Sequence, residues 1–470
     1  MRQNRRVTHA GAATAAATRV LAAAAVAGVG ATTLGQILRI DIRRKWTTTL
    51  RLPALTGFCD EPSVTHGEAI RLFVHTERPA ELSLHRMGEE LADSAQRWDV
   101  PVTIQTGRYD HWSGFDWEPT LEIATGGFHP GVHVAVLTSD DGTTFRIPVI
   151  IKASEPVEVA VIACTNTWQA YNRFGGMSVY DDTATPRPLR WVKHAMHVTN
   201  VGFTVGDRRR IPALPLPFRR PNVALDKDLG GLGLDPVAHL SHLARGEWEL
   251  LRFLEQERVE YGVFSDRDFA FDPVPTTAKL VIFNVHSEYW SEEMIGQLGA
   301  YVQRGGRVLF LSGNNMYRKV AFLADGLSLV DYKVSRSTMA RLLGAAYSAD
   351  GYVGYGGYRV FDPSHWVFRG LGVCRGQIFG SVPGEPTGAS GFETDKVTGD
   401  SGAVTILAVG TNTEGPAFMV FKPSAGGGWI VNCGSVACAA WLNREPVLQG
   451  IVRNVIAEAL RGGVGSTASA

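Results

Sequence analysis

The sequence lacks the features that would assign it quickly to several large classes. No CxxC pair occurs among its five cysteines (Cys59, Cys164, Cys374, Cys433 and Cys438), and their number is odd. That spacing argues against a zinc site and a disulfide framework and favours a reducing compartment. Cys164 and Cys433 each lie inside an apolar run, where a thiol behaves as a small buried hydrophobe. Net charge is missing too, since 46 basic residues balance 46 acidic ones. The whole-protein field offers no steering toward nucleic acid or an anionic membrane, so small or neutral partners are expected. No apolar run, the N-terminal stretch included, reaches the roughly 20 residues that a membrane helix needs.

At the N-terminus, Arg2, Arg5, Arg6 and Arg19 precede Val20 to Ala31, an Ala- and Gly-rich stretch of signal-peptide length but weak hydrophobicity. Export, a disordered Ala-rich leader over 1–45, and a start codon placed too early all fit this pattern. The rest of the chain points to the cytoplasm. With 45% hydrophobic and 20% charged residues over 470 positions, the chain can bury a large core in two or three domains.

From 55 to 152 the pattern is short alternating segments such as EAIRLFVHT and AELSLHR, which predicts a β-sandwich domain. Asp140-Asp141-Gly142 marks a hairpin, because Gly tolerates the positive φ that such turns require. The grammar changes at Val157. VEVAVIACT, AKLVIFNV and RVLFLSG are nearly continuous apolar runs, as in strands covered on both faces. Between the last two, Ser291 is a good N-cap for a helix bearing Met294, Ile295, Leu298, Tyr301 and Val302 on one face. AVTILAVG, AFMVFKP, GWIVNCG and a final amphipathic helix are expected to return and cover the same sheet. The predicted fold is α/β: an N-terminal β-sandwich followed, over 153–460, by a class I glutamine-amidotransferase-like parallel sheet flanked by helices. A flexible tail is expected over 461–470.

Ligands of open parallel sheets bind beyond the carboxyl ends of the strands. Three such ends are chemically loaded here: Thr165-Asn166-Thr167-Trp168-Gln169-Ala170-Tyr171-Asn172, then His286-Ser287-Glu288-Tyr289-Trp290, then Ser312-Gly313-Asn314-Asn315-Met316-Tyr317. Their convergence predicts a polar pocket, although such residues also cap helices and satisfy loop backbones. Asn314-Asn315 stands where the amidotransferase architecture carries a nucleophilic cysteine, and an amide is no nucleophile. Cys164 has no base near it in sequence that would lower its pKa. Water activation then needs a base or a metal, and Glu288 suits either role. Tyr171 is either a pocket aromatic donating one hydrogen bond or, under a strong Lewis acid, a ligand.

At this point TNTWQAYNRFGGMSVY, HSEYWSEEM, RGGRVLFLSGNNMY, GFETDKV and GWIVNCGS together resemble the C-terminal region of the N,N-dimethylformamidase large-subunit family, and LTGFCDEPSV with LSLHRMG resembles the sandwich before it. The similarity runs in order over roughly residues 55 to 460. It implies a mononuclear iron held by two tyrosines and one glutamate, activating water to hydrolyse a small N-substituted amide at its linear C–N bond. Glu288 and Tyr171 would be ligands, with Tyr180 the nearest candidate for the second tyrosine. His286 and Glu393 would move protons, and Asn166, Trp168, Asn172 and Asn314 would line the substrate. HSE stands where the family more often has HPE, and proline there donates no chemistry. A homo-oligomer and a separate small subunit are both open. The rival expectation is a non-catalytic ligand-binding or scaffold protein on the same fold.

Overall fold

The computed structural model describes residues 47–176, 178–180, 214–235, 237–238, 240–324, 326–348 and 354–461. The leader, nearly all of the tail and most of the Arg- and Pro-rich stretch after Tyr180 lie outside the described residues. Strands are numbered below as they are introduced.

The first region contains β1 (Leu55–Cys59), β2 (Ser63–Thr65), β3 (Ala69–Thr76), β4 (Ala80–Met87), β5 (Leu91–Val100), β6 (Leu121–Ala124), β7 (Gly131–Ser139) and β8 (Thr144–Lys152). They form a three-stranded sheet, β1-β3-β6, and a five-stranded sheet, β2-β8-β7-β4-β5. Leu55, Ile70, Leu72 and Val74 of the smaller sheet share one core with Leu82, Leu84, Leu137 and Val149 of the larger. The predicted hairpin joins β7 to β8, with Gly142 at φ 80°. In this turn Asp141 accepts a hydrogen bond from the Thr143 amide at 3.0 Å. The opposite face of the five-stranded sheet is not left to solvent. Met87, Val132, Val134 and Ile150 enter a second core together with the helices that follow, which is why GVHVAVL is buried almost without alternation.

The second region is built on a nine-stranded sheet. Its strands are β9 (Val159–Ala163), β10 (Gly262–Ser265), β11 (Leu280–Val285), β12 (Arg307–Ser312), β13 (Tyr358–Val360), β14 (Ile378–Phe379), β15 (Thr405–Gly410), β16 (Phe418–Pro423) and β17 (Trp429–Asn432). The order is β10-β9-β11-β12-β17-β16-β15-β13-β14. Neighbours are parallel from β10 to β17 and antiparallel beyond it. This corrects the expectation of a parallel sheet covered by its C-terminal segments. Those segments extend the sheet instead, because the short links from β15 to β16 and from β16 to β17 allow only antiparallel pairing.

In β9, Val159, Val161 and Ala163 face one core while Ala160 and Ile162 face another, so every position is apolar. Helices α1 (Thr165–Ala170), α2 (Ala244–Gln256), α3 (Asp266–Phe271), α4 (Glu292–Gln303) and α5 (Pro446–Arg461) provide the covering layers. Leu250, Leu251 and Leu254 of α2 and Ile451, Val452 and Val455 of α5 pack in the core that holds Val159 and Val132; Met294, Leu298 and Tyr301 of α4 pack in the one that holds Ala160. Taken in chain order, the five parallel strands lie 2-1-3-4-5, the flavodoxin-like doubly wound arrangement. The order reverses between β9 and β11, which opens a crevice there at the carboxyl ends of the strands.

Candidate active site

Two buried carboxylates behind the crevice hold the strand ends in place. Glu247 of α2 accepts hydrogen bonds from the Cys164 amide at 3.0 Å and from Asn284 Nδ2 at 2.9 Å, which ties β9 to β11. Asp266 accepts from the Asn166 amide at 2.8 Å, satisfying a free N–H of the first turn of α1. Tyr171 closes α1 as its C-cap. At the end of β11, Val285 holds φ 56°, which is strained for a β-branched residue and turns the following chain upward. Loop 286–288 is then pinned from two sides. Thr167 Oγ1 donates to the His286 carbonyl at 2.6 Å, while the Met316 and Arg318 amides donate to the carbonyls of Ser287 and Glu288 at 2.8 and 2.9 Å.

Beyond β12 the chain turns through Gly313 and Asn314, with Asn314 at φ 51°. A Cβ at Gly313 would lie 2.5 Å from the Glu393 carbonyl, so only glycine lets the two loops approach this closely. Phe392, at φ 68°, immediately precedes Glu393. Non-glycine residues of positive φ thus accompany the loops that supply His286, Glu288, Asn314 and Glu393.

The side chains meet at short range. His286 Nε2 lies 2.8 Å from Glu393 Oε2 and 3.5 Å from Glu288 Oε2. Asn314 Nδ2 donates to Glu393 Oε2 at 2.8 Å, and Arg318 Nε lies 3.4 Å from Glu288 Oε1. The Tyr180 hydroxyl donates to Glu288 Oε2 at 3.3 Å and stands 2.8 Å from the Tyr289 hydroxyl. The rings of Tyr171 and Tyr180 pack 4.5 Å apart, and their hydroxyls interact.

These contacts set the charges. Burial alone would lower the His286 pKa, but Glu393, with Glu288 behind it, raises it above the ordinary histidine value. Burial would raise Glu393, yet the charge and hydrogen bond of His286, together with Asn314, hold its carboxyl below the ordinary range. Glu288 is pushed up by burial, against the pull of His286 and Arg318. Burial, with neighbouring negative groups, raises the phenols of Tyr171 and Tyr180, so both are neutral unless a cation faces them.

Of the nine residues expected from the sequence, six meet in one cluster and a seventh lies just behind it. Tyr171, Tyr180, His286, Glu288, Asn314 and Glu393 form the cluster. Asn166 directs its amide to the Tyr289 carbonyl at 3.0 Å, just behind it. Asn172 is buried, and its side-chain oxygen accepts from the Phe174 amide. Trp168 packs in the core and lines a cavity of about 80 Å³ with Gln169, Phe218 and Arg220. Three cluster members were missed: Tyr289, Arg318 and His242. Tyr289 lies inside the HSEYWS motif and Arg318 directly follows NNMY, but neither was given a role. His242 precedes α2 in a segment with no periodic signal of its own.

Cys164 is buried, and burial raises its thiol pKa well above the ordinary value. It donates to the Asn284 carbonyl at 2.7 Å. A covalent thiol role is thereby disfavoured.

The donor set fits a metal. His286, Glu288 and Glu393 offer ligand atoms within 4.8 Å of one another. The Tyr180 hydroxyl and the adjoining Tyr171 add hard oxygen donors to Glu288, and His286 Nδ1 is buried without a partner among the described residues.

Fold and site define a class: a doubly wound α/β protein with a buried carboxylate, phenol and imidazole centre at its switch point. Within it, the chain belongs to the N,N-dimethylformamidase beta subunit-like family, matching the family's C-terminal model over residues 83–340 and 331–447. A search of the curated proteins finds no match. Among solved structures, a β-galactosidase from Bacillus circulans sp. alkalophilus aligns at 13% identity with a TM-score of 0.32, over 47% of this chain and 28% of its own. A ThuA-like protein from Bacteroides uniformis aligns at 10% identity with a TM-score of 0.32, over 48% of this chain and 89% of its own. The chain therefore spans less than a third of that β-galactosidase.

Proposed function

We propose that this chain hydrolyses the C–N bond of small N-substituted amides at the His286, Glu288 and Glu393 cluster. The observation that carries the proposal is the buried pair of His286 and Glu393, 2.8 Å apart, set beside a buried Glu288 that is met by the Tyr180 phenol. Environments that push a carboxyl down and an imidazole up suit a base and an acid acting in one turnover. Glu393 accepts a proton from the attacking water, and His286 donates one to the departing nitrogen. Asn314 orients Glu393, and Arg318 offsets part of the Glu288 charge.

Tyr171, Tyr180 and Glu288 would hold an iron ion, which supplies Lewis acidity toward the amide carbonyl and acidifies water when bound. We further read 55–152 as a β-sandwich domain and 153–460 as an amidotransferase-like domain. The shared core of the first two sheets and the elbow-like turn at Asn314 support that reading.

Metal analysis of protein purified without a metal-binding tag tests the iron assignment, with Tyr171→Phe and Glu288→Ala as controls. Stoichiometric iron and a visible phenolate charge-transfer band, both lost in each variant, are expected. A folded wild type without metal overturns the iron assignment. Metal-loaded protein that releases no amine from formamide, N-methylformamide or N,N-dimethylformamide overturns the hydrolase.

A further inference from the structure

Two rings outside the proton-handling set border the same cluster. The His242 ring centroid lies 4.7 Å from that of Tyr171, 5.6 Å from His286 and 5.5 Å from Phe392, against which it stacks. Tyr171, His242 and Phe392 are half-buried, while His286 and Glu288 are buried. Together with Tyr180, which is 45% exposed, the three rings are the aromatic members of the cluster that a small molecule can reach.

Two details suggest that this face has work to do. His242 Nε2 is buried and meets no hydrogen-bond partner among the described residues, an arrangement that native structures avoid unless a ligand or water completes it. Phe392 keeps a left-handed backbone that a bulky residue adopts only where its surroundings impose it, and this positions its ring beside His242.

We propose that His242 and Phe392, with the face of Tyr171, form the substrate-selecting wall of the site. His242 Nε2 hydrogen-bonds the amide group, and the ring faces take its apolar N-substituent. This rests on the amide-hydrolase reading and assigns to His242 and Phe392 the discrimination among such amides. His242 is a binding residue here and takes no part in proton transfer.

The test measures binding of formamide, N-methylformamide and N,N-dimethylformamide by ligand-detected NMR, and KM and kcat for whichever are turned over, with circular dichroism as the folding control. His242→Ala and His242→Phe are each expected to weaken binding of the N-alkyl amides about tenfold, with the loss in KM more than in kcat. His242→Gln, which retains a polar atom, should recover part of it. Phe392→Leu should narrow the preference for N,N-dimethylformamide over formamide. His242→Phe binding like wild type would mean that only ring packing matters and would overturn the proposal, as would wild type that binds none of the three amides. The expected binding pattern without hydrolysis would remove the hydrolase reading and keep the wall. Hydrolysis with an unchanged KM in His242→Ala would do the reverse.

Discussion

Glu247 is the most informative residue to perturb, because it is a fully buried acid that joins the two strand ends on either side of the crevice. It is 1% exposed and accepts hydrogen bonds from the Cys164 amide and Asn284 Nδ2. Burial pushes its pKa up to about 7 from 4.5, with a smaller push from Asp228, and the two hydrogen bonds only partly oppose this. A folded-state value above the unfolded one means that the native state binds the proton more tightly. Stability therefore falls as pH rises from about 4.5 through about 7. The displacement is worth at most about 3 kcal/mol. Glu247→Gln removes the charge and keeps the volume. Asn284 Oδ1, which has no partner among the described residues, can turn to accept from the new amide while the Cys164 bond is kept. The variant should match or fall slightly below wild type at pH 5 and exceed it by about 2 kcal/mol at pH 8. Urea unfolding midpoints at the two pH values measure this directly. A gap between variant and wild type that is the same at both would refute the reasoning.

Other outcomes follow from the same contacts. Glu393→Gln should lower kcat by about 10²- to 10⁴-fold while shifting Tm by only a few degrees, because Asn314 Oδ1 is available to the new amide; near-normal turnover would exclude Glu393 as the base. Lys152 lies 2.7 Å from Asp268 and 2.8 Å from Asp272, joining the first region to α3. At 15% exposure, Lys152→Met should cost about 2 kcal/mol in chemical denaturation, less than the loss of a fully buried partner. Iodoacetamide should label Cys374 first in the native protein, since Cys164, Cys433 and Cys438 are buried and burial pushes the Cys59 thiol up to about 12. Rapid modification of Cys164, read by peptide mass spectrometry, would contradict the packing around β9.

Much of the α/β region was legible in the chain. Runs such as LVIFNV and RVLFLS contain no polar face, and that alone requires layers on both sides. The Ser291 cap was visible as well, and Ser291 Oγ does accept from the Met294 amide at 3.2 Å. The C-terminal strands were visible as strands, but their place in the sheet was not. AVTILAVG and AFMVFKP alternate weakly, and nothing local distinguishes a strand that covers a sheet from one that extends it. The first region misled in a subtler way: GVHVAVL lies in a sheet that packs on both faces, and the second face meets Leu225, Leu250 and Leu254 from helices far along the chain.

For the site, strand-end position identified Tyr171, His286, Glu288 and Asn314, and motif resemblance added Tyr180 and Glu393. Trp168 and Asn172 belong to the same loaded segment but turn elsewhere, Trp168 into the core from the helix and Asn172 to the Phe174 amide in the loop after it. His242 could not have been found by pattern, since its neighbours Tyr171, His286 and Phe392 are distant in sequence and meet only through folding.

The sequence by itself therefore determined the layered α/β architecture, the chemistry available at the three strand ends, and membership of the dimethylformamidase-like family. These depend on local periodicity and ordered motifs, which survive without coordinates. Only the tertiary structure decided that the sheet turns antiparallel beyond β17, that Glu393 pairs with His286, and that His242 and Phe392 wall the cluster. Each is a contact across many residues, and its strength depends on burial and on distances of a few ångströms. Neither can be read from neighbours along the chain.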